Sequence, residues 1–188
     1  MARAGLDSDA VVAAAAQLAD AHGLEAVTLA RLAGILGVRP PSLYAHVDGL
    51  PDLRRRLAAR GARELAGELQ AAAAGRSGGE ALHAVADAYR AYARAHPGTY
   101  AALQRAPAPG DVDTAAAASR VVDVMLAVLR GYRLEGNDAI HATRLIRSAL
   151  HGFVTLESGG GFAMPLALDD SFGRLVEVLD GGLARRRA

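Results

Sequence analysis

The sequence of this 188-residue chain predicts an all-α fold of about nine helices, and three observations carry that prediction. Alanine and leucine dominate, β-branched residues are scattered, and no stretch alternates apolar and polar residues as a half-buried strand would. Apolar residues recur instead at helical spacing, in segments bounded by a capping residue, a glycine or a proline. Hydrophobic residues make up 52% of the chain, enough to build a substantial core.

Each element has its own local reason. Asp7 or Ser8 can cap a first helix, "DAVVAAAAQLADAH", which Gly23 closes. Thr28 can cap a second, "LARLAGIL", ending at Gly37. A third, short helix lies in "SLYAHV". A residue before proline is pushed out of the α region, so Arg39 and Pro40 are expected to be extended. The helix then opens at about Pro41, where a missing N–H costs nothing. A longer fourth helix starts near Pro51 and runs through "DLRRRLAARGARELAGELQAA".

The loop "AGRSGG" at 74–79 is the natural boundary, dividing the chain into a domain at 1–50, a connecting helix at 51–73 and a second domain at 74–188. Beyond it come "EALHAVADAYRAYARA", a break at His96–Pro97–Gly98, and a short helix "TYAALQRA". The connector "PAPGD" leads to a long helix across roughly 112–131. Next is "NDAIHATRLIRSALHGFVTLES", then the loop "GGGFAMPLAL", and a last helix from about Asp169 to Arg185.

Composition narrows the function classes. Net charge is +1, so only local clustering can speak for an acidic partner, and all 21 basic residues are arginine. The absence of cysteine excludes disulfides, thiolate metal sites and a cysteine nucleophile. The opening "MARAGLDSDA" lacks the apolar run of a signal peptide, and the most apolar segment, 115–129, is too short to span a bilayer and carries Arg120 and Asp123. A soluble cytoplasmic protein without a membrane partner is expected. The six histidines are dispersed, with no i, i+4 pair for a metal, and no nucleophile elbow, phosphate loop or dinucleotide-binding glycine pattern is present. No enzyme activity, metal or cofactor is therefore expected.

The second and third helices read together as a helix-turn-helix. Leu29, Leu32, Ala33 and Leu36 give one apolar face, with Ala33 small where another helix must cross. Gly37 permits a left-handed turn, Val38 plugs the corner, and Leu43 and Val47 bury the third helix. That leaves Ser42, Tyr44, Ala45 and His46 on the other face: Ser42 and the proline rings can reach bases, while Tyr44 and His46 suit phosphate and sugar. On its own, Tyr44 reads equally well as a partly buried core aromatic. Arg31 sits at the third position of a helix capped by Thr28, where a cation opposes the helix dipole and a nearby phosphate would reverse the sign; the alternative is a solvated arginine with a long flexible stem.

The run "TLARLAGILGVRPPSLYAHVDGLPDLRRRLA" (28–58), preceded by "DAHGLEAV", resembles the DNA-binding domain of the TetR family of bacterial repressors. The later "ALHGFVTLESGGGF" and "DDSFGRLVEVLDGGL" resemble the C-terminal domain of a TetR subgroup with a His-Gly signature. The resemblance implies a homodimer that binds double-stranded DNA at a palindromic operator and is released, as a repressor usually is, by a small-molecule effector. It carries DNA contact onto Thr28, Arg39, Pro40, Ser42, Tyr44 and His46, with Arg31 added from the capping argument. Two positions depart from the pattern: Leu50 stands where many members place a basic residue, and Ala30 where some place a base-reading arginine. "RRR" at 54–56 reads mainly as a solvated face.

In the second domain, candidate effector-pocket residues are Tyr89, Tyr92, Met125, Arg144 and His151, polar or aromatic interruptions in the central helices. His151 serves equally well as a hydrogen-bonding group across a dimer. Candidate dimer-interface residues are Ala149, Gly152 and Leu156 on one helix and Val176, Leu179 and Leu183 on the last. Gly152 in mid-helix costs about 1 kcal/mol unless close helix approach uses the missing side chain; packing within one chain would explain these features nearly as well. The rival reading is a helical dimer that binds a small molecule or protein without specific DNA binding.

Overall fold

The computed structural model describes residues 6–104 and 107–185, and within them there is no strand. The eight α-helices among these residues are α1 (Ser8–His22), α2 (Leu29–Leu36), α3 (Gly49–Ala73), α4 (Gly78–Ala95), α5 (Pro97–Leu103), α6 (Val112–Arg130), α7 (Gly136–Ser158) and α8 (Leu168–Arg185). The ninth expected place is taken by a 3-10 helix, Pro40–Ala45, and one further 3-10 turn, Leu24–Ala26, follows α1. None of these helices is long and apolar enough to cross a membrane.

The caps are largely those the sequence suggests. Asp7, rather than Ser8, caps α1, its Oδ1 accepting from the Ala10 N–H at 2.7 Å. Thr28 caps α2, its hydroxyl accepting from the Arg31 N–H at 3.2 Å. Gly37 ends α2 in the left-handed conformation, φ +67° and ψ +31°, which a Cβ disfavours. Pro97 does not break the chain away from a helix but opens α5, because the first helical position needs no N–H.

The chain forms two compact units, the first made of the residues up to Arg63 with Ala95–Ala118, the second of Glu64–Arg94 with Ser119 onwards. The first unit is built on α1. Its Val11, Ala15, Leu18 and Ala19 pack with Leu32 and Ala33 of α2, Leu43 and Val47, and Leu53 and Leu57 of α3, all buried. Helix α5 joins this unit rather than the second. A Cβ on Gly98 would lie 2.1 Å from the Ala19 carbonyl carbon and oxygen, so only glycine allows α5 this close to α1. Asp20 fastens the contact, one oxygen accepting from the Thr99 N–H at 2.7 Å and the other lying 3.0 Å from His96 Nδ1.

The second unit buries Leu65 and Leu69 of α3, Leu82 and Val85 of α4, Leu129 of α6, Ile146 and Leu150 of α7 and Leu183 of α8. Arg90 of α4 runs into it and donates twice to Glu157, from Nε at 2.9 Å and from Nη2 at 2.5 Å. A third contact reaches Asp169 at 2.8 Å. The guanidinium lies 4.8 Å from the Phe172 ring centroid and 5.4 Å from that of Phe153. The Glu157 hydrogen bond above all raises the Arg90 pKa, against the opposing effect of burial, and the same bond above all holds the Glu157 carboxyl below its ordinary range.

Candidate nucleic-acid interface

The 3-10 helix Pro40–Ala45 is set by its two prolines. Arg39 precedes it in extended backbone, φ −81° and ψ 145°. Its carbonyl accepts from the Ser42 N–H at 2.9 Å, the first hydrogen bond of the helix. In a 3-10 helix, the two residues before that donor have no partner for their N–H groups, and here both are proline, which has none. The helix therefore begins at Pro40, one residue earlier than expected, with two rings at its two partnerless positions. The other end is fixed by Ser8 of α1, whose hydroxyl donates to the His46 carbonyl at 2.9 Å.

Burial then sorts the side chains. Leu43 and Val47 are sealed into the core, whereas Arg39, Pro40, Pro41, Ser42, Tyr44 and Ala45 are exposed. Tyr44 is 63% exposed, so it is not a core aromatic. His46 is half-buried, and Thr28 and Arg31 are exposed at the start of α2. All seven sequence-predicted contact residues thus belong to one short stretch of one unit and present side-chain surface.

The three arginines at 54–56 are less free than a solvated face would be. Asp52, a buried carboxylate, accepts from the Asp48 N–H at 2.9 Å, from Arg55 at 2.6 Å and from Arg56 at 2.9 Å. Arg54 pairs with Glu25 at 3.0 Å. Leu50 packs, half-buried, against the core of this unit. The start of α3 therefore offers no basic side chain at Leu50, and the three arginines after it are each held by a carboxylate of the chain. The sequence analysis does not single out Asp52; the signal that marks it is its i+3 and i+4 spacing to Arg55 and Arg56.

Residues 82–179 match the family model described as the tetracyclin repressor-like, C-terminal domain. The chain belongs to the TetR family. It is 39% identical over 184 residues to the uncharacterized HTH-type transcriptional regulator Rv0681 of Mycobacterium tuberculosis, covering 97% of this chain and 84% of that one. A protein of unknown function from Rhodococcus sp. RHA1 shares the fold at a TM-score of 0.82, with 22% identity and 97% of each chain covered. So does the TetR family protein ActR of Streptomyces coelicolor, solved in complex with (S)-DNPA, at a TM-score of 0.72 and 20% identity over 98% of this chain and 100% of that one. The helix-turn-helix described above is thus the counterpart of the element named in the regulator relatives.

The second-unit candidates fall into two groups. Tyr89, Tyr92 and Met125 are buried, and the Tyr92 hydroxyl donates to Glu64 at 3.1 Å. His151 is half-buried, 3.5 Å from the Thr155 hydroxyl, and burial first, then Arg147, lowers its pKa. Arg144 lies on the exposed side of α7, so it faces solvent rather than an interior cavity. Of the interface candidates, Val176, Leu179 and Leu183 are already buried within one chain. The apolar stripe of α8 is core, and helical periodicity could not say against what it packs. Ala149 and Gly152 are half-buried and Leu156 is 50% exposed, in line on α7 with Leu145 at 55%. Among the described residues nothing lies within 4 Å of a Cβ on Gly152, so no packing there accounts for that glycine.

Proposed function

We propose that this chain is a sequence-specific DNA-binding transcriptional regulator, a repressor released from a palindromic operator by a small-molecule effector. The observation that carries the reading is the exposed set Thr28, Arg31, Arg39, Pro40, Ser42 and Tyr44 around a 3-10 helix anchored in the core by Leu43. Phosphate contacts from arginine, tyrosine and histidine position such a segment, and the helix N-terminus meets base edges. In this reading residues 1–50 contact DNA, α3 connects, and 74–188 hold the effector and the dimer contact. The accessible line of Leu145, Ala149, Gly152 and Leu156 supports a homodimer, which a two-fold operator requires. Its two recognition helices would sit about 34–36 Å apart, one turn of B-DNA. An effector that favours another spacing lowers operator affinity by shifting the population. The ActR complex with (S)-DNPA supports an effector site in this fold.

Selection of bound duplexes from a random DNA library by the purified full chain tests this. An enriched inverted repeat is expected, and Arg39→Ala or Tyr44→Ala should lose binding with the fold intact. Binding that stays weak and sequence-independent at moderate salt would instead favour a helical dimer that binds a small molecule or protein without reading DNA. Leu50 and the occupied arginines 54–56 are the observations on that side.

A further inference from the structure

We infer that the cleft between the first turns of α3, the end of α5 and the connector before α6 binds a small uncharged molecule of the amide or lactam class. The site lies within the first unit, whereas the residues assigned above to the effector belong to the second. Its occupancy does not depend on the chain binding DNA.

The cleft has a volume of about 330 Å³. Small-molecule sites run from about 300 to 1,000 Å³ and are mainly apolar with a few polar groups. The apolar wall here is Leu50, Pro51 and Ala58 of α3, Ala102 of α5, and Pro107 and Ala108 of the connector. Arg54 and Asp111 stand in the same wall. Each has one buried polar atom without a hydrogen-bond partner: Nε of Arg54, a donor, and Oδ2 of Asp111, an acceptor. A buried polar atom left unpaired costs about 1–3 kcal/mol, and more in a charged group. Such atoms are few in native proteins, and each calls for a partner. Two of opposite character on one small cleft suit a molecule that brings one donor and one acceptor.

The other ends of both groups are already committed. Arg54 gives Nη2 to Glu25 at 3.0 Å, and Asp111 Oδ1 accepts from the Thr114 N–H at 3.1 Å. Arg55, the other cation of the wall, gives Nη2 to Asp52. A carboxylate ligand would bring about four lone-pair sites to the single Nε–H and set its charge beside Asp111. An ammonium would bring three donors to the single Oδ2 and set its charge beside Arg54. Either ion would lose its water to an apolar wall with most of its hydrogen bonds unmet. Water alone does no better, because each molecule takes about 30 Å³ and needs about two to four polar partners. Most of the water in this cleft would face carbon. A neutral amide carries one N–H for Oδ2 and one C=O for Nε–H on an apolar body. The terminal torsion of an aspartate is broad, so Oδ2 turns toward the ligand while Oδ1 stays near Thr114. Leu50 stands both in this wall and against the core that holds Leu43 and Val47. An occupied cleft therefore bears on the helix-turn-helix.

The test adds ε-caprolactam to the isotope-labelled full chain and follows the backbone amide spectrum. A compound of this size binds at about millimolar Kd, so the titration runs to tens of millimolar. Shifts at Arg54, Ala102, Ala108 and Asp111 are expected, saturating together. N-methylcaprolactam and cycloheptanone lack the N–H and should bind at least about tenfold more weakly, the worth of one hydrogen bond to a charged group. Asp111→Asn turns the free acceptor into a donor; it should weaken the lactam by a similar factor and leave the ketone unchanged. Ala108→Leu, at an exposed position of the connector, fills the cleft and should abolish the shifts, which keeps the test open if the Asp111 variant disturbs α6. No shift in the wall at tens of millimolar lactam would overturn the inference, leaving water as the partner of both atoms. Equal affinity for lactam and ketone would also overturn it, since the cleft would then select only apolar bulk. So would shifts that survive Ala108→Leu, which would put the lactam elsewhere.

Discussion

Replacing Arg90 by methionine tests whether the second unit is held by a buried ion pair or only surrounds one. The guanidinium side chain and the Glu157 carboxylate are about equally hidden, with 10% and 12% of their side-chain surfaces exposed. Methionine keeps most of the packing between Phe153 and Phe172 but leaves Glu157 without its two donors. Removing one partner of such a pair typically costs about 3–5 kcal/mol. For a chain of this size each kcal/mol lowers Tm by about 2–4 °C, so thermal unfolding followed by circular dichroism should show a loss of about 6–20 °C. Asp169, 83% exposed, belongs to the same cluster, yet Asp169→Asn should cost less than about 1 kcal/mol because its charge stays solvated. The double variant Arg90→Met with Glu157→Met removes both charges and should recover most of the loss. Acid provides a second reading of the same bond. The folded Glu157 pKa lies below its ordinary value of 4.5, so the pair stabilises fully above that pH and less as pH falls through the folded value. The melting difference between the parent chain and Arg90→Met should therefore narrow in acid. A single variant that melts within 2 °C of the parent by a measurement good to about 1 °C, or a double variant no better than the single, would mean that the pair does not hold this unit together.

Three other substitutions probe the helix ends and the close approaches. Thr28→Ala removes the α2 cap and should lower stability by about 1 kcal/mol, with Thr28→Ser restoring it; denaturant titration reads both. Gly98→Ala places a methyl 2.1 Å from the Ala19 carbonyl, a backbone group that cannot turn aside, and should cost at least about 1–3 kcal/mol and disturb the first unit, visible in the amide spectrum of α1. Gly152→Ala meets open space among the described residues and should raise monomer stability by about 0.5–1 kcal/mol through helix propensity. If two copies meet along that line of α7, the added methyl should at the same time weaken the dimer in sedimentation equilibrium; an unchanged dimer would move the interface elsewhere.

Most of the helices were legible because their signals are local. Thr28, Gly37 and the alternating faces of Leu32, Ala33, Leu43 and Val47 fix a helix-turn-helix from spacing alone, and the structure has each where spacing puts it. The third helix opens at Pro40, one residue before the expected Pro41, because the rule for residues before proline describes the α region, whereas a 3-10 turn accommodates both rings. What sequence could not supply was the identity of partners far along the chain. Glu25 with Arg54, Asp20 with Thr99, and Arg90 with Glu157 are separated by 29, 79 and 67 positions, and nothing near either member announces the other. The stripe of α8 shows the same limit: Val176, Leu179 and Leu183 at helical spacing announce a buried face, but burial in one chain and burial between two chains read alike. The contact role of Tyr44 was undecided from sequence for the same reason, and exposure decides it as surface.

The prolines of the recognition segment also bear on how fast and how firmly a duplex is met. Fixing the backbone of one residue costs about 1–2 kcal/mol in conformational entropy, and a segment that folds only on its target adds that cost to every encounter. At Pro40 and Pro41 the φ torsions are held by covalent rings before any partner arrives, and Ser8 and Gly37 hold the two ends. Association should then resemble the docking of two preformed surfaces, with a heat-capacity change accounted for by the contact area alone and little left for ordering the protein.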